Sequence, residues 1–266
     1  MIEVHAEDFA SANPLLDEFS AGAEIVGAVL AGHTKGKIFL RALADSRVGF
    51  VYNNGFCVLA GAVADEVFAK QRLNWLYRHL QQDFFILYPG HESWLPVLDA
   101  VAVTSVKKVG RIVYRFDKSS FVAQNFPPSL SGDFSLARMD AALMRATADS
   151  SYPWARETWP SEMHFERHGL GFCVLTRGRI VSLCYSVFVS GLHREIDIFT
   201  AKPFRRQGLA KAAASAYLQE CLVQGLKPGW NCFKDNRPSR ELAEVLGFVP
   251  ASEFSVYSWH RTRSEA

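Results

Sequence analysis

The chain reads as an α/β protein, α+β in the sense of a mixed sheet, arranged as two domains, and three observations predict this. Two apolar stretches are broken by tight-turn signals, Asn53-Asn54-Gly55 and Arg177-Gly178-Arg179, each expected to fold back as a β-hairpin. A strand-like Glu195-Ile196-Asp197-Ile198-Phe199-Thr200 leads through a glycine turn into an alanine-rich helix and then a short strand at 227–232, a strand–helix–strand unit. Between the halves, residues 118–133 carry Pro127-Pro128, Ser129, Ser131 and Gly132, the composition of a linker. The expected domains are 1–125 and 133–266.

Taken in order, a helical arm opens the chain and strands follow at 37–42 and 48–60, the second interrupted by Asn53-Asn54-Gly55. Residues 64–80 place Phe68, Trp75, Leu76 and Leu80 on one helical face. A buried strand at 84–88 is stopped by Pro89-Gly90, a short helix covers 93–101, and an alternating strand covers 105–116. Past the linker come a helix over 136–148, a loop over 151–160, and a helix over 161–168 with Ser161 as its cap and Gly169 as its stop. The hairpin at 172–189 has a second arm that is apolar on both faces, as a fully buried strand requires.

Composition narrows the class. Of 266 residues 49% are hydrophobic, enough for a sizeable core, and the net charge of +2 points away from nucleic acid. The five cysteines, Cys57, Cys173, Cys184, Cys221 and Cys232, form an odd set without C-x-x-C spacing and fall in apolar elements. They read as reduced core thiols of a cytoplasmic protein. The start lacks a basic leader segment, and no apolar run reaches the roughly 20 residues that cross a bilayer. His164 and His168 are spaced i, i+4 but have no third ligand in the pattern, so no metal is expected.

The chemistry concentrates at Arg205-Arg206-Gln207-Gly208-Leu209-Ala210. A strand that ends in a glycine turn and starts a helix aims unpaired backbone N–H groups and the positive end of the helix dipole at one small volume. A pyrophosphate fits such a volume. The fingerprints G-x-G-x-x-G and G-x-x-x-x-G-K-[ST] are absent, whereas R-x-x-G-x-A is present. That pattern resembles the acetyl-CoA signature of the GNAT N-acetyltransferase superfamily. The segment running from Asn236 through Leu246-Gly247-Phe248 is similar to the one that closes the superfamily's core. Within it, E-I-D-I-x-T, P-G-W-N-C and L-A-E-x-L-G-F look most like the zwittermicin A resistance acetyltransferases. The likeness is good over 133–259 and weak over the first half, which could be a degenerate GNAT-like copy without the R-x-x-G-x-A loop.

The resemblance implies acetyl-CoA as cosubstrate. It assigns the pyrophosphate to the amides of Arg205, Arg206, Gln207, Gly208, Leu209 and Ala210, with charge from Arg205, Arg206 and Lys211, and a further contact from Asn236. The backbone of Ile198, Phe199 and Thr200 would meet the pantetheine arm. Glu195 and Asp197, about 6 to 7 Å apart on one face of the strand, are the candidate general bases, with Glu195 preferred and a strand-edge pairing to Arg194 or His193 as its alternative role. Many family members carry a tyrosine acid where this chain has Ala243. Tyr217 and Tyr257 are expected to pack. Trp154, Glu157 and Trp159, in the loop that flanks the acceptor cleft in the superfamily, are the candidate substrate residues, and the tryptophans equally suit core plugs.

The expected activity is acetyl transfer from acetyl-CoA to a primary amine, of a small molecule in the first instance, by direct attack. A protein N-terminus or lysine as acceptor, or a non-catalytic coenzyme A sensor with the same fold, are the rival readings. The oligomeric state is not written in the sequence.

Overall fold

Both tight turns form as the composition demands. Asn54 and Gly55 have φ of 41° and 87°, Arg177 and Gly178 have 48° and 73°, the left-handed pairs that join antiparallel strands with the correct twist. In the computed structural model, residues 2–17, 19, 21–42, 45–62, 64–80, 83–122, 130 and 132–261 are described.

The chain divides into two compact units, 1–111 with 253–266, and 112–252. In chain order the elements are β1 (Ile2–Val4), a 3-10 segment Ala6–Leu16, α1 (Ala23–Leu30), β2 (Lys37–Ala42), β3 (Asp45–Asn53), β4 (Phe56–Ala60), α2 (Glu66–His79), β5 (Phe84–Pro89), α3 (Trp94–Val101), β6 (Lys107–Phe116) and α4 (Lys118–Val122). They continue with β7 (Phe134–Arg138), α5 (Ala141–Ala146), α6 (Trp154–Thr158), α7 (Glu162–His168), β8 (Gly171–Thr176), β9 (Arg179–Ser190), β10 (His193–Thr200), a 3-10 turn Lys202–Phe204, α8 (Leu209–Gln224), β11 (Lys227–Phe233), α9 (Arg237–Val245) and β12 (Phe248–His260).

In the first unit the strand order is β1-β2-β3-β4-β5-β12. Strands β1 to β4 are antiparallel neighbours, β4 and β5 are parallel across α2, and the end of β12 returns antiparallel to β5 with Tyr257 opposite Leu87. In the second unit the order is β6-β11-β10-β9-β8-β7, with β10 and β11 parallel across α8. The two halves of the chain, β1 to β6 and β7 to β12, repeat one sequence of elements: strand, helical segment, three antiparallel strands, crossing helix, parallel strand, helix, strand. Helix α8 lays Ala212, Ala213 and Ala214 into the second core with Val174, Val181, Cys184 and Trp230. All five cysteines are free and buried.

Four expectations are corrected. The unit boundary falls at Arg111/Ile112 rather than in 118–133, and 253–266 belong to the first unit, because compactness follows strand pairing and not chain order. Of the expected linker, Lys118–Val122 forms a helix, while Pro127, Pro128, Ser129 and Ser131 lie outside the described residues. The helix expected over 136–148 is instead strand β7, paired Leu136 to Val174, followed by α5 with Asp140 accepting from Leu143 N at 2.8 Å. Local propensity there is indifferent, and cross-strand packing of Phe134 and Leu136 decides. The opening arm likewise begins as a strand, β1, before its helical segments.

One buried group in the first unit is out of keeping with its surroundings. Arg72 on α2 is 3% exposed, its guanidinium carbon lies 5.0 Å from the Phe39 ring and 5.6 Å from the Phe68 ring, and its Nε and Nη1 have no hydrogen-bond partner. Desolvation pulls its pKa down to about 10. The cation–π contacts return about 0.5–2 kcal/mol, while each unsatisfied buried donor costs about 1–3 kcal/mol. Arg72→Met, which keeps the apolar stem, should therefore raise stability by about 1 kcal/mol. A urea midpoint at or below that of the wild type would contradict this.

Candidate active site

Strand β10 is the axis of the site. It pairs with β9 along its whole length, from His193 opposite Ser190 to Thr200 opposite Ser182, with a register shift between Glu195 and Ile196. Its parallel pairing with β11 covers only His193 to Glu195, opposite Lys227 to Gly229. Beyond Glu195 the backbone of Ile196 to Thr200 has no ladder partner on the β11 side, although the Phe199 and Thr200 carbonyls accept from Ser182 Oγ and Arg205 Nε, each at 3.0 Å.

The turn after β10 has the geometry its composition predicts. Arg206 and Gly208 both take left-handed backbone, φ 65° and 78°, and Gly208 is the N-cap of α8 with no side-chain cap in place. Helix geometry leaves the first-turn amides without intrahelical acceptors. A Cβ built on Gly208 would meet nothing within 4 Å, so the space over the turn is open. Arg205, Arg206, Gln207 and Gly208 are exposed, Ala210 and Lys211 are half-buried, and the Leu209 side chain is in the core, which leaves only its amide for a ligand. Arg205 Nε donates to Thr200 O at 3.0 Å and Gln207 Nε2 to Pro203 O at 3.4 Å, so both side chains brace the turn. This open, amide-lined bend at a helix N-terminus has the charge and geometry that suit an anion.

The equivalent helix of the first unit is closed to an anion. Its N-cap is Asp65, whose carboxylate accepts from Phe68 N at 2.9 Å. A fixed negative charge already occupies the positive helix end there.

Around β10, Ile196 and Ile198 pack into the core under α8, so Glu195, Asp197 and Phe199 occupy the opposite face. The two carboxylates have separate partners. Glu195 is 6% exposed; its Oε1 accepts from Asn231 N at 3.0 Å and Asn231 Nδ2 at 2.6 Å, and its Oε2 lies 3.1 Å from His193 Nε2. The strand-edge alternative is thus realised through His193, while Arg194 Nη1 donates to Gly191 O and His193 O. Asp197 keeps partial solvent access but is set deep among protein atoms, and burial pushes its carboxyl up against the opposing effect of the Tyr152 and Tyr185 hydroxyls. Tyr152 Oη donates to Asp197 Oδ2 at 2.7 Å, and its ring stacks on Phe199 at 4.5 Å and 11°. The Tyr185 hydroxyl is fully buried beside Asp197 and Thr158 without reaching hydrogen-bond geometry to either.

The loop expected to flank the acceptor contains helix α6. Trp154 is half-buried and Glu157 exposed. Trp159 is 1% exposed, donates its indole N–H to Ser186 O at 3.1 Å and meets Phe165 edge-on at 5.2 Å, which is a packing role. Sequence reasoning passed over Tyr152, whose only signal was its place in an aromatic, proline-containing loop. Asn236 caps α9 by accepting from Ser239 N at 3.3 Å, and Ala243 is buried in the core. Tyr217 is buried with its hydroxyl 2.8 Å from Ser186 Oγ, and Tyr257 donates to Asp99 at 2.6 Å.

A family model described as GNAT acetyltransferase matches residues 13–257. The chain belongs to the GNAT acetyltransferase family. Among curated relatives, an uncharacterized N-acetyltransferase of Bacillus subtilis (strain 168), YdfB, is 29% identical over 174 residues; the match covers 65% of this chain and just under two thirds, 65%, of that protein. Among solved structures, a GCN5-related N-acetyltransferase-like protein from Streptococcus suis 89/1591 aligns with a TM-score of 0.74 at 22% identity, covering 96% of this chain and 99% of that one. A tandem GNAT protein of the clavulanic acid biosynthesis pathway, solved without acetyl-CoA, aligns with a TM-score of 0.61 at 11% identity over 98% of each chain. At these identities the structures speak for the GNAT fold, and they span both units. Among the described residues no helix is long and apolar enough to cross a membrane.

Proposed function

We propose that this GNAT protein is a cytoplasmic acetyl-CoA-dependent N-acetyltransferase that acylates the primary amine of a small molecule. The reading rests on one observation above others: β10 parts from β11 after Glu195 and runs into an open, left-handed Gly208 turn at the start of α8. When bound, acetyl-CoA supplies an acyl carbon activated as a thioester. The amides of residues 205–210 hold its diphosphate, Arg206 and Lys211 add charge, and the free edge of Ile198, Phe199 and Thr200 receives the pantetheine amides. Asn236 lies at the start of α9 and contributes while capping it. Trp154 and Glu157 border the acceptor side. The motifs E-I-D-I-x-T, P-G-W-N-C and L-A-E-x-L-G-F support a place beside the zwittermicin A resistance acetyltransferases.

Direct transfer, without a covalent enzyme intermediate, is the route of this reading, and the burial of the thiols supports it. Burial pushes Cys173 and Cys221 up to about 12 and Cys184 well above its ordinary value, so none is a thiolate nucleophile at neutral pH. The first unit, with the same order of elements and an acid at the corresponding helix start, is a GNAT-like copy that does not hold cofactor. Isothermal calorimetry with acetyl-CoA, joined to thiol release across a panel of amines, tests the proposal. Micromolar binding with turnover on at least one small amine is expected. Binding without turnover would favour a sensor, turnover on peptides alone a protein acetyltransferase, and absence of binding would end the reading.

A further inference from the structure

The two carboxylates of β10 are built for different tasks. Glu195 reaches across to β11: a Cβ on Gly229 would collide with the Glu195 carboxylate and the His193 ring, and Glu195 Oε1 takes both the main-chain and side-chain N–H of Asn231. It replaces the ladder bonds that β10 and β11 stop making at this point, and it is buried with both oxygens engaged. Asp197, two residues on, lies where the strands have parted and keeps access to solvent. Its Oδ2 is held by Tyr152, which is itself fixed by its stack on Phe199. Beside it the buried Tyr185 hydroxyl faces Asp197 and Thr158, so the carboxylate is flanked by two tyrosine hydroxyls.

We infer that Asp197 receives the ammonium of the acceptor and takes its proton, with Tyr152 as the residue that positions it, while Glu195 is a strut that sets the parting of β10 from β11. This deepens the acetyltransferase reading and rests on it. The acceptor class is a primary ammonium: an N–H donor to the carboxylate, with the ring of Tyr152 beside it. In the step assigned to Asp197 one N–H bond breaks and one carboxyl O–H bond forms. The nitrogen keeps the electron pair and becomes a neutral amine able to attack.

The test compares Asp197→Asn, Glu195→Gln and Tyr152→Phe in the full chain, using thiol release from acetyl-CoA with n-butylamine, spermidine, glucosamine and free amino acids, together with acetyl-CoA affinity by calorimetry and Tm. Gln at 195 can still accept from Asn231, so E195Q should keep kcat within about threefold, whereas D197N should lose kcat by about 100-fold or more. D197N should bind acetyl-CoA as the wild type does and melt no lower, since Asn still accepts from Tyr152. Y152F, which keeps the ring stack, should lower kcat about tenfold with little change in KM or Tm, a split that a purely structural loss would not give. A loss in E195Q equal to or larger than that in D197N overturns the assignment, as does a wild type that binds acetyl-CoA yet turns over no amine of the panel. A wild type that does not bind acetyl-CoA overturns the acetyltransferase reading itself.

Discussion

Gly208→Glu should weaken acetyl-CoA binding by 100-fold or more and leave the protein folded. Two effects add. The position has φ 78°, so any L side chain there costs about 1–2 kcal/mol of backbone strain, which for a chain of this size lowers Tm by about 2–8 °C. The larger effect falls on the ligand: the open space over the turn, where a Cβ meets nothing within 4 Å, would hold a carboxylate where a diphosphate has to sit. Gly208→Ala carries the same strain without the charge and separates the two. Calorimetry on both variants beside the wild type is the measurement. An unchanged dissociation constant in G208E would place the cofactor elsewhere on the molecule.

The second large effect concerns stability. Trp159→Ala should cost about 3–5 kcal/mol, a large share of the roughly 5–15 kcal/mol that holds a domain folded. The ring is 1% exposed, its edge-on contact with Phe165 ties α6 to α7, and its N–H is the donor to Ser186 O in β9. Removing it leaves both a cavity and an orphaned carbonyl. A large drop in Tm, with Trp159→Phe in between, is the expected result of chemical or thermal melts. A variant that melts within about a degree of the wild type but shows an altered KM for its amine would instead put the ring in the acceptor cleft.

Much of this architecture was legible before any coordinates. Asn54-Gly55 and Arg177-Gly178 have few alternatives to a left-handed turn, and both form one. Ser161 caps α7 by accepting from His164 N, as its place before the helix requires. The bend at Gly208 depended on six contiguous residues, so chain order alone assembled it. What failed were judgements that depend on distant partners. Residues 134–138 are helix or strand according to what lies beside them, and β8 lies beside them. The boundary at Arg111 follows from how β6 and the end of β12 are shared between the units, which no linker composition records.

The same division runs through the active site. Sequence by itself determined the family, the left-handed turn at Gly208 and the presence of two carboxylates on one face of β10, because turn chemistry and period-two pleating act over a few neighbouring residues. Only the tertiary structure gave those carboxylates different tasks. Asn231 comes to Glu195 from 36 residues away, and Tyr152 to Asp197 from 45. Which acid is tied and which is open to an acceptor depends on where β10 separates from β11, and that is decided by packing across the sheet.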